Sequence, residues 1–204
     1  ALDRAVKLAP ALGEHADAER WAAERDRIRA AIETRGWSDA KQAYAQSFGS
    51  DDLDAAALLM AIYGFLPATD ERMRATIEAV DRELTEGGMV LRYRNQEGLN
   101  ADGLSGEEGT FTICSFWLVS ALSEIGERKR ARRLCERLVS NGTALGLYAE
   151  EIEPMSGAQL GNFPQAFSHL ALINAVTHVI SDDQLGDREE PGSVFTEMRA
   201  VGAA

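Results

Sequence analysis

The chain has 204 residues, 45% of them apolar, enough for one domain with a sizeable core. A formal net charge of −12, with no Lys/Arg cluster standing apart from acidic neighbours, argues against a nucleic-acid partner held through its phosphates. No apolar run approaches membrane-spanning length, and Cys114 and Cys135 make neither a metal-ligand pattern nor a disulfide framework. We therefore expect no membrane partner, no metal, no cofactor and a reducing, cytoplasmic compartment.

The chain opens Ala1-Leu2-Asp3-Arg4-Ala5-Val6, already in helical rhythm and without an N-cap, which reads as entry part-way along a helix of something longer. Leu2, Val6, Leu8 and Leu12 share a face until Gly13. Residues 18–34 form a charged amphipathic helix with Trp21, Ile28 and Ile32 toward the core. After Arg35-Gly36 an irregular stretch runs from Trp37 to Ser50. Ser50-Asp51-Asp52 then caps a helix over residues 53–63 that is apolar nearly all round, and such a helix is buried. Thr69-Asp70-Glu71 caps the next charged helix, which runs to about Leu84 and stops at Glu86-Gly87-Gly88.

The pattern then repeats. Residues 89–93 are extended, a polar loop runs to Gly109, and residues 110–125 form a second apolar helix carrying Phe111, Phe116 and Trp117. Residues 128–140 are charged and amphipathic, stopped by Asn141-Gly142. Leu147-Tyr148 is extended, Glu150-Glu151 follows, then a Pro-Met-Ser-Gly turn and a third apolar helix over residues 164–180 in which His178 packs. Residues 1–181 are read as the domain and 182–204 as a polar tail with at most one docking helix near residues 194–201.

Ala55, Phe111 and Phe167 mark a repeat of about 56 residues, with Arg92 and Tyr148 as its second pair of equivalents. Each unit holds a buried helix, a half-exposed helix, a glycine stop and a long loop. Helices that alternate in this way suit an all-α toroid with an inner and an outer ring. About half of a closed six-pair ring is present, so the remainder of its own chain is an expected partner. The loops before the inner helices are unusually long for helix-to-helix connections, and function concentrates at such loops.

In extended chain, neighbouring side chains point to opposite faces, so one of Glu150 and Glu151 points into a pocket and the other away. Glu108 and Asp54 sit where a carboxylate favours a helix N-terminus. Glu107, Glu108, Glu150, Glu151 and His169 read together suggest a metal cluster, but their spacing matches no ligand motif. Trp117, further down its helix, reads first as core packing. A non-catalytic repeat binding a partner in its concavity would show more polar inner helices. A toroidal isoprenoid cyclase would carry Asp-rich metal motifs, and none is found.

The segments Gly103-Leu104-Ser105-Gly106-Glu107-Glu108-Gly109-Thr110-Phe111 with Cys114 to Leu118, Leu147-Tyr148-Ala149-Glu150-Glu151, and Gln159 to His169 resemble bacterial members of glycoside hydrolase family 15. That family includes glucoamylases, glucodextranases and some trehalases, and the resemblance extends to about Ile180. It implies an (α/α)6 barrel and an inverting hydrolase of α-linked glucans or glucosides, glucoamylase-like, with a trehalase as the alternative. By position it implies Glu150 as general base and Arg92-Tyr93, Phe111 and Phe167 at the sugar, with Glu108 and Glu151 as further substrate contacts. The family's general acid lies in a Trp-Glu motif expected upstream of Ala1, so this segment alone is expected to be inactive.

Overall fold

The computed structural model describes residues 1–13, 17–94 and 109–186. The expectations placed on Glu107 and Glu108, and the docking helix near residues 194–201, lie outside the described residues. Among those described are seven α-helices: α1 (Leu2–Leu12), α2 (Ala18–Arg35), α3 (Leu59–Ile62), α4 (Glu71–Leu84), α5 (Thr112–Glu124), α6 (Arg128–Ser140) and α7 (Ala166–Gly186). Seven two-residue strands join them at the loops: β1 (Trp37–Ser38), β2 (Ala43–Tyr44), β3 (Thr85–Glu86), β4 (Met89–Val90), β5 (Thr110–Phe111), β6 (Glu151–Ile152) and β7 (Gln159–Leu160).

Helix α5 is the centre of the molecule. It packs against α3, α6 and α7, and ten of its residues are buried, Phe116 and Val119 completely. Two of its three buried serines tie it to neighbouring elements. Ser115 Oγ accepts the Val90 N–H at 2.9 Å and donates to the Phe111 carbonyl at 3.1 Å, so it joins β4 to the start of α5. Ser123 donates to Asp182 of α7. A buried hydroxyl is tolerated when it is bonded, and here each bond also ties α5 to a neighbour.

Helices α4 and α6 are buried along one stripe only. Asp70 caps α4, its Oδ1 accepting the Arg72 and Met73 amides at 2.9 and 3.3 Å. Met73, Ile77, Val80 and Leu84 then recur at helical spacing on the covered face. On α6 the covered residues are Ala131, Cys135 and Leu138. Cys114 and Cys135 are both buried, and neither is in a disulfide among the described residues. Arg130 reaches Asp81 at 2.6 Å, and Arg74 reaches Glu127 at 3.0 Å and the Ile125 carbonyl at 2.8 Å, tying α4 to the turn before α6.

The first apolar helix differs from expectation. It is a 3-10 turn (Ala55–Leu58) running into the single turn of α3, and its cap is Asp54, not Ser50-Asp51-Asp52. Gly87-Gly88 is also more than a helix stop. Both glycines have positive φ, 57° and 84°, and they form the two-residue turn of the β3–β4 hairpin. The stretch after Gly36 likewise holds a small hairpin, with Trp37 opposite Tyr44.

The two flanks of the helix row are less covered than periodicity suggests. No residue of α2 is buried, and Ile28 is 42% exposed, because α2 packs on α1 and β1 alone among the larger contacts. Helix α7, apolar all round, buries Ala171, Ala175 and His178 toward α5. It leaves Phe167, Leu170, Ile173 and Ile180 exposed along the opposite stripe. Full burial of an inner helix therefore holds for α5, which has neighbours on both sides, and not for α7.

His178 is 5% exposed, with its Nδ1 on the Asn174 carbonyl at 2.8 Å and its Nε2 on Glu124 at 3.1 Å. Burial opposes its charged form, but the Glu124 hydrogen bond, the Asn174 carbonyl and the charges of Glu124 and Asp182 outweigh burial and raise its pKa above 6.5. A raised folded value means the stabilisation is fully present below the unfolded pKa and lost as pH rises through the folded one. His178→Gln is therefore expected to lower Tm more at about pH 5.5 than at about pH 9, read by thermal melts across that range. Equal losses at both ends would remove the charged pair.

The loop geometry places the mouth. Ala55 N–H donates to the Arg92 carbonyl at 2.8 Å, and Thr112 N–H donates to the Glu150 carbonyl at 2.9 Å. Each start of an inner helix is thus pinned by the loop that follows the next outer helix. By this bond the structural equivalent of Arg92 is Glu150, not Tyr148. The spacing is therefore 57 residues from Ala55 to Thr112 and 58 from Arg92 to Glu150, slightly longer than the 56 read from the sequence.

Candidate active site

Glu150 is held by its neighbours before its own side chain does anything. Tyr148 is buried, its hydroxyl donates to the Val139 carbonyl at 2.9 Å, and its ring stands edge-on to Phe116 at 5.8 Å. Ala149 donates its N–H to Gln159 Oε1 at 2.6 Å and receives the Ser168 hydroxyl on its carbonyl at 2.9 Å. Glu150 donates its own N–H to the Asn162 carbonyl at 2.9 Å. Bonds to α5, to α7 and to the loop before α7 thus fix one backbone position.

The two carboxylates then diverge, as extended chain requires. Glu151 belongs to β6, and its Oε2 accepts the Gly109 N–H at 2.7 Å, away from the cavity. Glu150 Oε2 accepts both the N–H and the side-chain amide of Asn162, at 3.2 and 2.9 Å. Its Oε1 carries no hydrogen bond among the described residues. Gly161 has φ 70°, and a Cβ there would stand 2.9 Å from Glu150 Oε2. The glycine thus both makes the turn and leaves room for the carboxylate.

Glu150 lines a cavity of about 270 Å³ together with Asp54, Ala56, Arg92, Phe111, Ile113, Cys114, Trp117, Gln165, Phe167 and Ser168. Of the expected site residues, Glu150, Arg92, Phe111 and Phe167 are brought together here. Tyr93 is buried and Glu151 is bonded elsewhere; neither lines the cavity. Tyr93 lies under Arg92 instead, its ring centroid 5.2 Å from the guanidinium carbon. That guanidinium makes no ion pair or hydrogen bond among the described residues. Trp117, read first as core, packs on the core cluster and also forms part of the wall.

Sequence reasoning missed Gln165 and Ser168 as wall residues and took Asp54 only as a cap. A signal existed for Asp54: it stands one residue before Ala55, the position equivalent to Phe111 and Phe167. The face that Trp117 presents had no such signal, since α5 is apolar on every side.

The exposed arginine, the half-bonded carboxylate and three aromatic rings make a wall able to hold a neutral polyhydroxylated ring: hydroxyls on the charged groups, apolar ring face on the aromatics. The helices that carry it form consecutive inner and outer layers of an (α/α)6 toroid. A solved bacterial glucoamylase in complex with acarbose shares this fold, with a TM-score of 0.76 over 89% of this chain and 32% of its own, at 13% sequence identity. The profile of glycosyl hydrolases family 15 matches residues 1–177. Trehalases of Mycolicibacterium smegmatis and Mycobacterium tuberculosis are each 58% identical over 187 residues, 92% of this chain and 28% and 27% of their own lengths. The chain belongs to glycosyl hydrolases family 15, and it spans a little over a quarter of the length of these relatives.

Proposed function

We propose that the protein carrying this chain is an inverting hydrolase of α,α-trehalose, with Glu150 as general base. The observation that carries the mechanism is the asymmetry of the Glu150 carboxylate. Asn162 occupies Oε2 and leaves Oε1 at a cavity wall, where it can take a proton from water. The water attacks the anomeric carbon as its proton passes to Glu150. The glycosidic bond breaks, and its oxygen takes a proton from a general acid outside these 204 residues, across the bond. Inverting hydrolases keep their two carboxyls roughly 6.5–9.5 Å apart so that the water fits between. Arg92 holds ring hydroxyls, and Phe111, Phe167 and Trp117 face the apolar side of the ring.

For the substrate, the 58% identity to two trehalases supports the disaccharide over α-glucans, which reverses the order expected from the resemblance alone. The test is proton NMR of the full chain acting on trehalose in the first minutes, before mutarotation. Inversion releases one β-glucose for each α-glucose. Release of the α-anomer alone would overturn inversion, and turnover of starch without turnover of trehalose would overturn the substrate.

A further inference from the structure

We propose that Asp54 is a second carboxylate of the pocket and binds a sugar hydroxyl beside Arg92. This rests on reading the cavity as a glucoside site. Asp54 has two oxygens with different circumstances. Oδ1 accepts the Ala56 N–H at 2.7 Å and caps the 3-10 turn. Oδ2 has one long contact, Gln46 Nε2 at 3.4 Å, and Asp54 has no ion pair among the described residues. Capping accounts for one oxygen and would be served as well by Ser or Asn. Among the described residues the second oxygen has only the long Gln46 contact, and the charge has the cap but no ion pair.

The position of Asp54 accounts for them. It lines the cavity of Glu150 and also an adjoining cavity of about 480 Å³, of whose lining residues it is the acidic one. An antiparallel bridge pairs it with Tyr93, and the Ala55 N–H holds the Arg92 carbonyl at 2.8 Å, so Asp54 and Arg92 are neighbours across two backbones. They form no ion pair with each other. A guanidinium only donates hydrogen bonds and a carboxylate only accepts them, whereas a hydroxyl does both. A sugar hydroxyl, or two adjacent ones, therefore satisfies Arg92 and Asp54 together without a charge of its own, which suits a chain of net charge −12.

The test uses the full chain, Asp54→Ser and Asp54→Asn, and a panel of monodeoxy analogues of the substrate. Both replacements keep a capping oxygen, and thermal melts matching the unchanged chain would establish that they fold. A hydrogen bond to a charged group is worth about ten- to a hundred-fold in binding. Each variant should lose about that factor in kcat/KM on the parent sugar. In the unchanged chain, one deoxy analogue should show the same loss. In the variants that one analogue should lose nothing further, while the other analogues keep their penalties. Unchanged kcat/KM in both variants, or an equal loss on every analogue, would overturn the proposal and leave the glucoside reading standing. An unchanged chain that hydrolyses no α-glucoside would overturn both.

Discussion

Glu150→Gln in the full chain should lower kcat by about 10²–10⁴ or more while KM changes little. The amide keeps the shape, and its oxygen still accepts from Asn162, so the loop and the sugar contacts remain. What is lost is the group that takes the proton from water, and with it the negative charge facing an oxocarbenium-like transition state. Glu151→Gln is the control in the same loop. Its carboxylate serves the Gly109 N–H, outside the cavity, so its kcat should stay far closer to that of the unchanged chain. Steady-state kinetics on trehalose separates the two. A Glu150→Gln enzyme with near-normal kcat would remove Glu150 from the role of base.

Phe116→Ala should cost about 3–5 kcal/mol of stability, measured by denaturant or thermal unfolding. Phe116 is fully buried in α5, which packs against α3, α6 and α7, so the space it leaves has little freedom to close. The loss should also reach the site. Phe116 supports the Tyr148 ring edge-on, and Tyr148 lies two residues before Glu150. With that support gone, kcat should fall in a protein that is still folded. Phe116→Leu, which refills much of the volume, should cost distinctly less in both measurements. A stability loss confined to a few tenths of a kcal/mol would mean that α5 is not the centre of the core.

Much of this protein was legible in its sequence, for reasons that concern local chemistry. The capping of α4 by Asp70, the span of α6 and the buried character of α5 follow from turn chemistry and helical periodicity, which act over a few residues. The repeat of Ala55, Phe111 and Phe167 indicates the toroid because each unit must bury the same face against the next. The opposite directions of Glu150 and Glu151 follow from the alternation of extended chain.

What only the tertiary structure decided involves groups far apart in the chain. The apolar run at residues 53–63 has the composition of a long helix, yet the cap at Asp54 and its bridge to Tyr93 start it as a 3-10 turn. Helix α7 is apolar on every side, and which stripe stays exposed depends on where α5 and α6 lie. Arg92 corresponds to Glu150 because of two backbone hydrogen bonds between loops and inner helices, which a match of sequence spacing places two residues away. That Glu150 Oε1 has no partner among the described residues depends on Asn162, twelve residues on, taking the other oxygen. Local sequence sets which residues can do chemistry; the bonds between distant loops set which of their atoms are left free to do it.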